Sequence, residues 1–344
     1  MKSEKSESRY ARQEALRSIG KEGQKKIRKA TAAIAGCGAL GSVSAELLCR
    51  AGIGRLILID HDVVDLTNLQ RQALFNEADV GKTKVAALSD HLKRINKDVT
   101  LIAKPAHLDA STIDLLDDAD CIIDGTDDVD TRLLMNKYSR KNSTPWIYGG
   151  AIAERGLVYV TTKDSPCFSC IFPMIRQGET CEEYGILNSC SHIVAAVQAS
   201  ECIKIITGKQ PVKGLVHINA AQPSMETFGV KKNPACKACK GEFSMIMKKT
   251  GEGLTNTSDA FTIQKCKTRA GWSARPVRQT RLDLSKLKKR FQIVLETPIL
   301  LVVKKEGFSG EIIVHNYGEI LFKQSSDEKK MKAIAAEIYE AGQQ

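Results

Sequence analysis

The first two thirds of the chain alternate short, almost wholly apolar runs with longer amphipathic segments. The runs at 31–36, 55–60 and 121–124 (TAAIAG, RLILID and CIID) show no polar alternation, which predicts strands covered on both faces of a sheet. Between them, segments such as 82–96 (KTKVAALSDHLKRIN) repeat apolar residues at helical spacing. Strands that alternate with helices in this order predict a doubly wound, mostly parallel α/β sheet in a Rossmann-like domain.

The same pattern continues to residue 208. Further strands are predicted at TLIAKPAHL (100–108), WIYGGAI (146–152) and LVYVTTK (157–163), and further helices at SVSAELLCRAG (42–52), TRLLMNKYSRKN (131–142) and HIVAAVQASECIKIITG (192–208).

The pattern changes beyond residue 248. Residues 249–260 are small, polar and glycine-bearing, which is typical of a linker. The tail then predicts a short helix at 282–291, a hairpin at 311–323 and a last helix at 327–341. We therefore predict a first domain over 1–248, a linker over 249–260 and a small α+β domain of unknown role over 261–344.

Composition argues against several classes of protein. The 344 residues contain no apolar run near the roughly 20 that span a bilayer, and the charged N-terminus lacks the apolar middle of a secretory signal. We therefore expect a cytoplasmic protein, whose eleven cysteines are metal ligands, reactive thiols or core residues rather than disulfides.

The net charge of +11 is compatible with an acidic or nucleic-acid partner. The tail lysines are interspersed with acids, which favours a solvated face, and nucleic acid is not expected.

A glycine-rich turn follows the first predicted strand. Gly36-Cys37-Gly38-Ala39-Leu40-Gly41 leads into a helix, where glycines let the backbone approach a phosphate and the helix N-terminus adds partial positive charge. Asp60 lies about 20 residues further on, at a strand end where a carboxylate can bind ribose hydroxyls. Taken alone, the pattern fits a dinucleotide of the NAD type as well as ATP, and a purely structural turn stays open.

Polar side chains cluster directly after this acid, over residues 62–72. Asn68, Arg71 and the later Lys84 can hold three phosphates, the guanidinium as a two-pronged donor and the ammonium as a point charge. A dinucleotide has only two phosphates, so the whole set favours ATP. Arg71 alone would fit a solvated surface loop.

Acids also follow the strand at 121–124. Asp127 and Asp128 lie where open α/β sheets bind their ligands, and Asp127 is predicted to hold Mg²⁺ on the phosphates. Acids at this place are also common helix N-caps, and Asp128 or Asp130 can serve only as caps.

Four cysteines form two Cys-x-x-Cys pairs, Cys167 with Cys170 and Cys236 with Cys239. Each pair can present two thiolates to one ion, and the two pairs together would close a tetrahedral site without an open position. The spacing therefore predicts a structural zinc, with redox use of one pair as the alternative.

These segments together resemble the MoeB/ThiF group of the ubiquitin-activating-enzyme superfamily over nearly all of residues 8–243. The matching segments are RYARQ (9–13), GCGALG (36–41), LIDHDVVDLTNLQRQ (58–72), DVGKTKV (79–85), DGTDD (124–128), PCFSC (166–170) and NPACKAC (233–239).

The resemblance implies adenylation of the C-terminal glycine carboxylate of a small ubiquitin-fold sulfur carrier or modifier that ends in Gly-Gly. Because a carboxylate is already a nucleophile, this chemistry needs positioning and charge neutralisation rather than a general base. The resemblance also implies that Arg12 reaches the nucleotide of a neighbouring subunit, so a homodimer is expected. The implied catalytic residues are Arg12, Arg71, Lys84 and Asp127, and the implied ATP- and Mg²⁺-binding residues are Gly36, Gly38, Ala39, Gly41, Asp60, Asp62, Asn68, Arg71, Gln72, Lys84, Asp127 and Asp128.

One further cysteine raises a question of mechanism. Cys181 resembles the cysteine that forms a thioester or persulfide-linked adduct in some relatives, but the adjacent Glu182 and Glu183 disfavour a thiolate. A covalent role and an inert loop thiol therefore both stay open, and Cys190 can replace or partner Cys181.

Three alternative functions also stay open. The substrate can be a small-molecule or peptide carboxylate, the chain can be a tRNA-modifying relative, or it can be a non-catalytic scaffold. The tail does not resemble the rhodanese domain that some relatives carry.

Overall fold

The computed structural model describes residues 9–175, 184–242, 261–265, 271–276, 280–323 and 327–342. The chain divides into two compact units, Met1–Phe243 and Ser244–Gln344. The linker predicted at 249–260 lies outside the described residues, and so does Cys181. The boundaries at 248 and 261 therefore stay predictions.

The first unit is built on one eight-stranded sheet. Its strands are β1 (Thr31–Ala35), β2 (Arg55–Asp60), β3 (Thr100–Pro105), β4 (Cys121–Asp124), β5 (Trp146–Ile152), β6 (Arg155–Thr161), β7 (Leu215–Asn219) and β8 (Ser224–Phe228). Its helices are α1 (Ala11–Glu14), α2 (Gly20–Lys29), α3 (Ala39–Ala51), α4 (Lys84–Ile95), α5 (Val129–Asn142), α6 (Phe168–Ile171) and α7 (Asn188–Ile206).

The strand order is β3-β2-β1-β4-β5-β6-β7-β8. Neighbouring strands are parallel from β3 to β5 and antiparallel from β5 to β8. The prediction of a doubly wound, mostly parallel α/β sheet is therefore confirmed. The chain leaves β1 toward β2 on one side and continues at β4 on the other, and such a switch point opens a ligand crevice at the carboxyl ends of the strands.

The apolar runs bury side chains on both faces of this sheet. In β1, Ala32 and Ile34 contact one core with α3, α4 and α7, whereas Ala33 and Ala35 contact a second core with α5 and α6. All five residues of β1 are buried. A strand with two covered faces needs no polar alternation, which explains the sequence pattern.

The sequence analysis did not predict β7 and β8. Residues 215–219 (LVHIN) are only partly apolar, and 224–228 (SMETF) form an exposed edge strand that pairs with β7 alone. An edge strand buries little, so its residues carry a weak apolar signal.

The second unit has a separate antiparallel sheet. Its strands are β9 (Phe261–Lys265), β10 (Gly271–Pro276), β11 (Gln292–Glu296), β12 (Leu300–Lys304), β13 (Ile312–His315) and β14 (Ile320–Lys323), in the order β11-β12-β13-β14-β10-β9, and its helices are α8 (Leu284–Leu287) and α9 (Glu328–Gly342). Met331, Ile334 and Ile338 of α9 pack with strand residues in one core. The α+β class of this unit is confirmed, although only the β13–β14 hairpin and the two helices were predicted.

Among the described residues, no helix is long and apolar enough to cross a lipid bilayer.

Candidate functional site

The glycine-rich turn lies between β1 and α3, at the switch point of the first unit. Gly36 has a φ of 86°, and a Cβ there would lie 2.6 Å from the carbonyl carbon of Gly125. A Cβ on Gly41 would lie 1.8 Å from the carbonyl oxygen of Gly36, so the turn closes only with glycine at both positions. A Cβ on Gly38, by contrast, would meet only the Gln72 amide nitrogen at 3.6 Å. Space is therefore left above Gly38, at the N-terminus of α3.

Asp60 ends β2 and is tied to this turn. One carboxylate oxygen accepts the backbone N–H of Cys37 and the other accepts that of Asp62, each at 2.7 Å. Burial raises the pKa of Asp60, and the nearby charge of Lys84 opposes that rise. A carboxylate has about four lone-pair positions, so further hydrogen bonds to a ligand hydroxyl fit this group.

Lys84 is the first residue of α4, and its side chain lies beside Asp60 and Asp62. Its ammonium lies 3.0 Å from a carboxylate oxygen of Asp62, and its backbone N–H donates to the Asp62 carbonyl at 2.9 Å. Only 7% of Lys84 is exposed, so the cation is held in one position beside Asp60.

The segment 65–72 brings three further predicted residues to this edge of the sheet. Asn68 is the last residue of a three-residue helical turn capped by Asp65, and its side chain accepts the Asp65 N–H at 3.2 Å. Arg71 donates to the Thr67 carbonyl at 3.0 Å. Gln72 is 3% exposed, and its amide oxygen has no hydrogen-bond partner in the described part of the chain. Because the Gln72 amide lies beside Gly38, it can bond a group placed above the glycine turn.

Asp127 and Asp128, which follow β4, differ in their contacts. Asp128 caps α5 by accepting the Thr131 N–H at 2.7 Å and its hydroxyl at 2.8 Å. Asp127 is exposed, and its carboxylate makes no hydrogen bond with the residues described. Asp127 is therefore the acid available to a ligand, whereas Asp128 is engaged within the chain.

The sequence analysis missed the group that holds this turn in place. Arg132 of α5 donates to the fully buried Asp124 at 3.0 Å, to the Gly149 carbonyl at 3.2 Å and to the Thr126 carbonyl. Its guanidinium carbon lies 5.0 Å from the ring centre of Tyr148. Burial raises the pKa of Asp124, and the charge of Arg132 opposes it. A lone arginine in the first turn of a helix gives no sequence signal for this role.

Gln198 of α7 is a second missed residue. It is fully buried and donates to the Asp124 carbonyl at 2.8 Å and to the Ile147 carbonyl at 3.1 Å. The amide therefore joins the end of β4 to the second residue of β5, directly before the turn that carries Asp127.

Arg12 is the one predicted catalytic residue in the described chain that does not join this group. Helix α1 is anchored by Tyr10, whose hydroxyl accepts from Asn96 at 2.9 Å, and by Gln13, which donates to the Ala51 carbonyl at 3.0 Å. Ala51 and Asn96 lie at the C-terminal ends of α3 and α4, which lead into β2 and β3 at the amino edge of the sheet. The glycine turn lies at the opposite edge, one strand length of about 16 Å away.

The four paired cysteines converge as predicted. The sulfur atoms of Cys167 and Cys236 are 3.5 Å apart, those of Cys170 and Cys239 are 3.6 Å apart, and those of Cys167 and Cys170 are 4.0 Å apart. Tetrahedral zinc with Zn–S bonds of about 2.3 Å requires sulfur atoms about 3.8 Å apart, so the four thiols fit this ion. Asn136 of α5 supports the cluster by accepting the Phe168 N–H at 2.9 Å.

Cys190 lies in the first turn of α7. Its side chain is fully buried, and its sulfur would be 3.6 Å from a Cβ on Gly156 of β6. A reaction at this thiol would require the start of α7 to move.

A glycine turn at the switch point, an acid at the end of β2 and an adjacent cation define a nucleotide-binding α/β protein. The model of the ThiF family matches residues 10–238, and the chain belongs to this family.

Two relatives and one solved structure illustrate the similarity. The chain is 37% identical to the sulfur carrier protein ThiS adenylyltransferase of Bacillus subtilis over 67% of this chain and 71% of the relative. It is 35% identical to the adenylyltransferase and sulfurtransferase MOCS3 of Anopheles gambiae over 67% of this chain, but spans only 54% of that relative. The structure of Escherichia coli MccB with succinimide has the same fold, with a TM-score of 0.61 at 23% identity over 68% of this chain and 74% of that one. The family and these names identify an adenylyltransferase, an enzyme class that uses ATP.

Proposed function

We propose that the enzyme adenylates the C-terminal carboxylate of a small ubiquitin-fold sulfur carrier or modifier that ends in Gly-Gly. The observation that carries this proposal is that Asp60 and Lys84 lie together beside the glycine turn, where Gln72 also lies. Arg71 is adjacent to Gln72 in the chain, and Asp127 follows β4 in the turn against which Gly36 packs. The relative that acts on the sulfur carrier ThiS supports the choice of substrate.

The proposed nucleotide contacts follow from the geometry of the turn. Asp60 binds the ribose hydroxyls, while the backbone at Gly38 and Ala39 receives a phosphate at the N-terminus of α3. Lys84 and Arg71 neutralise the remaining phosphates, and Asn68 and Gln72 donate amide hydrogen bonds. Gly36, Gly41 and Asp62 act through the shape of the site, because they close the turn and hold Lys84.

The reaction needs no base from the protein. A carboxylate oxygen of the carrier attacks the α-phosphorus of ATP, the bond to the bridging oxygen breaks, and pyrophosphate leaves with that electron pair. Negative charge grows on the leaving group, so Lys84 and Arg71 contribute most in the transition state.

The chain offers donor groups for two metal ions, one at the nucleotide site and one at the cysteine cluster. Asp127 offers an exposed carboxylate of the hard oxygen type that Mg²⁺ prefers, and Mg²⁺ on the phosphates lowers their charge. The four thiolates of Cys167, Cys170, Cys236 and Cys239 would hold a structural zinc. Asp128 stays a less direct candidate because it caps α5.

The position of Arg12 supports a homodimer. Helix α1 is anchored at the amino edge of the sheet, so Arg12 cannot reach the glycine turn of its own chain. If Arg12 contributes to catalysis, it must act in the site of a second subunit, as an isologous dimer allows.

A cavity at the same sheet edge offers a path for the carrier tail. Its volume is about 460 Å³, and its lining includes Glu154, Arg155, Tyr184 and Asn219. The segment from Tyr184 leads back to the nucleotide site, because Gln70 exchanges hydrogen bonds of 3.5 and 3.4 Å with residues 186 and 188. Four residues span at most about 14 Å when fully extended, so an extended carrier tail of at least four residues would cover this distance.

Exchange of labelled pyrophosphate into ATP tests the proposed function. The full chain is incubated with ATP, Mg²⁺ and the sulfur carrier ThiS of the Bacillus subtilis system, with a carrier that lacks its last glycine as the control. We expect exchange only with the intact carrier, and an Arg71→Ala variant should lose about 100-fold. Arg50→Ala is the matched variant, because Arg50 pairs with Glu46 within α3 and makes no other ion pair among the described residues.

Two results would overturn the proposal. One is the absence of exchange with any Gly-Gly carrier, and the other is exchange driven by a protein-free metabolite extract, which would indicate a small carboxylate substrate. A thioester at Cys181 stays a separate prediction, since this residue lies outside the described chain.

A further inference from the structure

Lys84 follows a short loop that leads into α4. Thr83 directly precedes the helix and makes no side-chain hydrogen bond to its first turn. Backbone bonds join the loop to the segment after β2, where Val64 donates to the Lys82 carbonyl at 2.8 Å and its own carbonyl accepts the Gly81 N–H at 2.9 Å. The position of the Lys84 ammonium therefore depends on how this loop is fixed to α4.

His91, two turns further along α4, is bonded back to the residue before this loop. Its Nε2 lies 2.6 Å from one carboxylate oxygen of Asp79, and the side chains of His91 and Asp79 are only 14% and 6% exposed. The same oxygen accepts the Asn76 N–H at 3.1 Å, and the other accepts from the Lys82 ammonium at 3.0 Å. The carboxylate of Asp79 thus joins the loop to α4 at a place shielded from water.

The partners of His91 determine which of its ring nitrogens carries the proton. A guanidinium can only donate, and that of Arg94 lies 2.6 Å from Nδ1, so Nδ1 accepts. A carboxylate accepts, so Nε2 carries the proton that is donated to Asp79. Each nitrogen of the neutral ring therefore has one partner, and the ring is held in a single orientation.

His91 and Lys84 lie on the same face of α4. Seven residues make almost two full helical turns, so the two side chains are offset by only about 20° around the axis. A movement of the helix that broke the bond to Asp79 would therefore displace Lys84 as well. Displacement of a catalytic group by about 1 Å can cost about 100-fold in rate.

We propose that His91 is a positioning residue, which holds Lys84 at the place where negative charge grows on the leaving pyrophosphate. This inference rests on the proposed function, because that function assigns the charge-neutralising role to Lys84. His91 lies about 10 Å from Lys84 along the helix axis, so it acts through the loop and the helix rather than on the nucleotide.

Two substitutions separate the hydrogen bond of His91 from the packing of its ring. His91→Phe keeps a flat ring but cannot donate to Asp79, whereas His91→Gln loses the ring but has an amide nitrogen near the position of Nε2. Both full-length variants are assayed for pyrophosphate exchange, with the unfolding temperature measured by circular dichroism. His91→Phe should lower the maximal exchange rate about 30-fold. His91→Gln should stay within about threefold of the wild type.

The KM for ATP distinguishes positioning of Lys84 from general damage to the site. A displaced cation loses more in the transition state than in the ground state, so the KM of His91→Phe should change less than about threefold. Lys93→Ala is the matched control, because Lys93 is exposed and lies nine residues from Lys84, on the opposite face of α4. It should exchange pyrophosphate at the wild-type rate.

The outcomes separate the role of His91 from the proposed function. Wild-type exchange together with equal maximal rates in His91→Phe and His91→Gln would overturn the role of His91 alone. A KM that rises in His91→Phe as much as the maximal rate falls would also overturn it. No exchange by the wild type with any Gly-Gly carrier would overturn the proposed function, and this inference with it.

Discussion

Arg132 is the residue on which the turn after β4 depends most. Its guanidinium is shared among a buried carboxylate, two carbonyl oxygens and the face of Tyr148. Each of these groups lies in the strands or in the turn that position Asp127. A single cation thus satisfies several acceptors at once, among them the buried carboxylate of Asp124.

Replacement of Arg132 by alanine should therefore destabilise the first unit. The variant leaves the carboxylate of Asp124 buried without its cation, which costs about 3 kcal/mol of unfolding free energy. Urea unfolding followed by Trp146 fluorescence, in a Trp272→Phe background, measures this unit alone. Arg50→Ala removes an exposed pair and should cost less than about 1 kcal/mol. A loss for Arg132→Ala no larger than that would contradict the role assigned to Arg132.

Asp79 should make stability depend on pH in the acid range. Burial raises the pKa of Asp79, but hydrogen bonds from His91, the Asn76 N–H and Lys82 outweigh it and lower the pKa to about 2. Because the folded pKa lies below the unfolded value of about 3.9, the unfolded state binds the proton first as the pH falls. The stability that Asp79 adds is complete above pH 4 and lost between about pH 4 and pH 2, and it amounts to roughly 2 kcal/mol.

An Asp79→Asn variant checks this dependence. Between pH 4 and pH 2 the unfolding free energy of the variant should fall less steeply than that of the wild type. Identical slopes for the two proteins would show that Asp79 has an ordinary pKa when folded.

At the scale of elements, the cysteine cluster joins segments that are distant in sequence. Cys170 lies in α6 and Cys167 directly precedes it, and the turn near residue 238 supplies the other two sulfurs, 69 residues later in each contact. Both segments are short, and the backbone hydrogen bonds within 233–242 join residues of that segment to one another. A bound ion would therefore act as their main cross-link.

Metal analysis tests this centre. The purified chain should contain about one zinc per molecule, and Cys236→Ser should contain almost none. Loss of the ion should lower the unfolding temperature by at least about 5 °C, because metal bound only to the folded state adds its binding free energy to stability. Cys202→Ser, at a buried cysteine of α7 outside the cluster, should keep its zinc. Equal zinc content in the two variants would exclude these four ligands.

At the scale of the whole molecule, the position of α1 predicts sharing of sites between subunits. Arg12→Ala and Lys84→Ala should each be inactive in pyrophosphate exchange. Mixed and allowed to exchange subunits, they form heterodimers in which one site has both residues intact. Such a mixture should regain about a quarter of the wild-type activity.

Two outcomes of the mixing experiment would contradict the prediction that sites are shared between subunits. Full activity of Arg12→Ala alone would remove Arg12 from the mechanism. A mixture that stays inactive, although subunit exchange is seen by native mass spectrometry, would show that Arg12 does not act across the dimer.

The sequence predicted the features that follow from a repeated or local residue pattern. Apolar runs such as 55–60 identified the central strands, and the glycine turn, Asp60 and the cysteine pairs were found from spacing alone. Arg132 and Gln198 were missed because their roles depend on neighbours 8 and 74 residues away. The edge strand β8 was missed because it buries almost nothing.

The sequence by itself determined the fold class, the glycine turn, the acid of β2 and the two cysteine pairs that converge, because each is a local pattern required by backbone geometry or spacing. Only the tertiary structure decided that Asp128 caps a helix while Asp127 stays available, and that Lys84 is held by Asp62. It also decided that Arg12 lies at the far edge of the sheet. These outcomes depend on which groups approach each other once the sheet forms, and distances between elements are fixed by packing rather than by any residue's own preference.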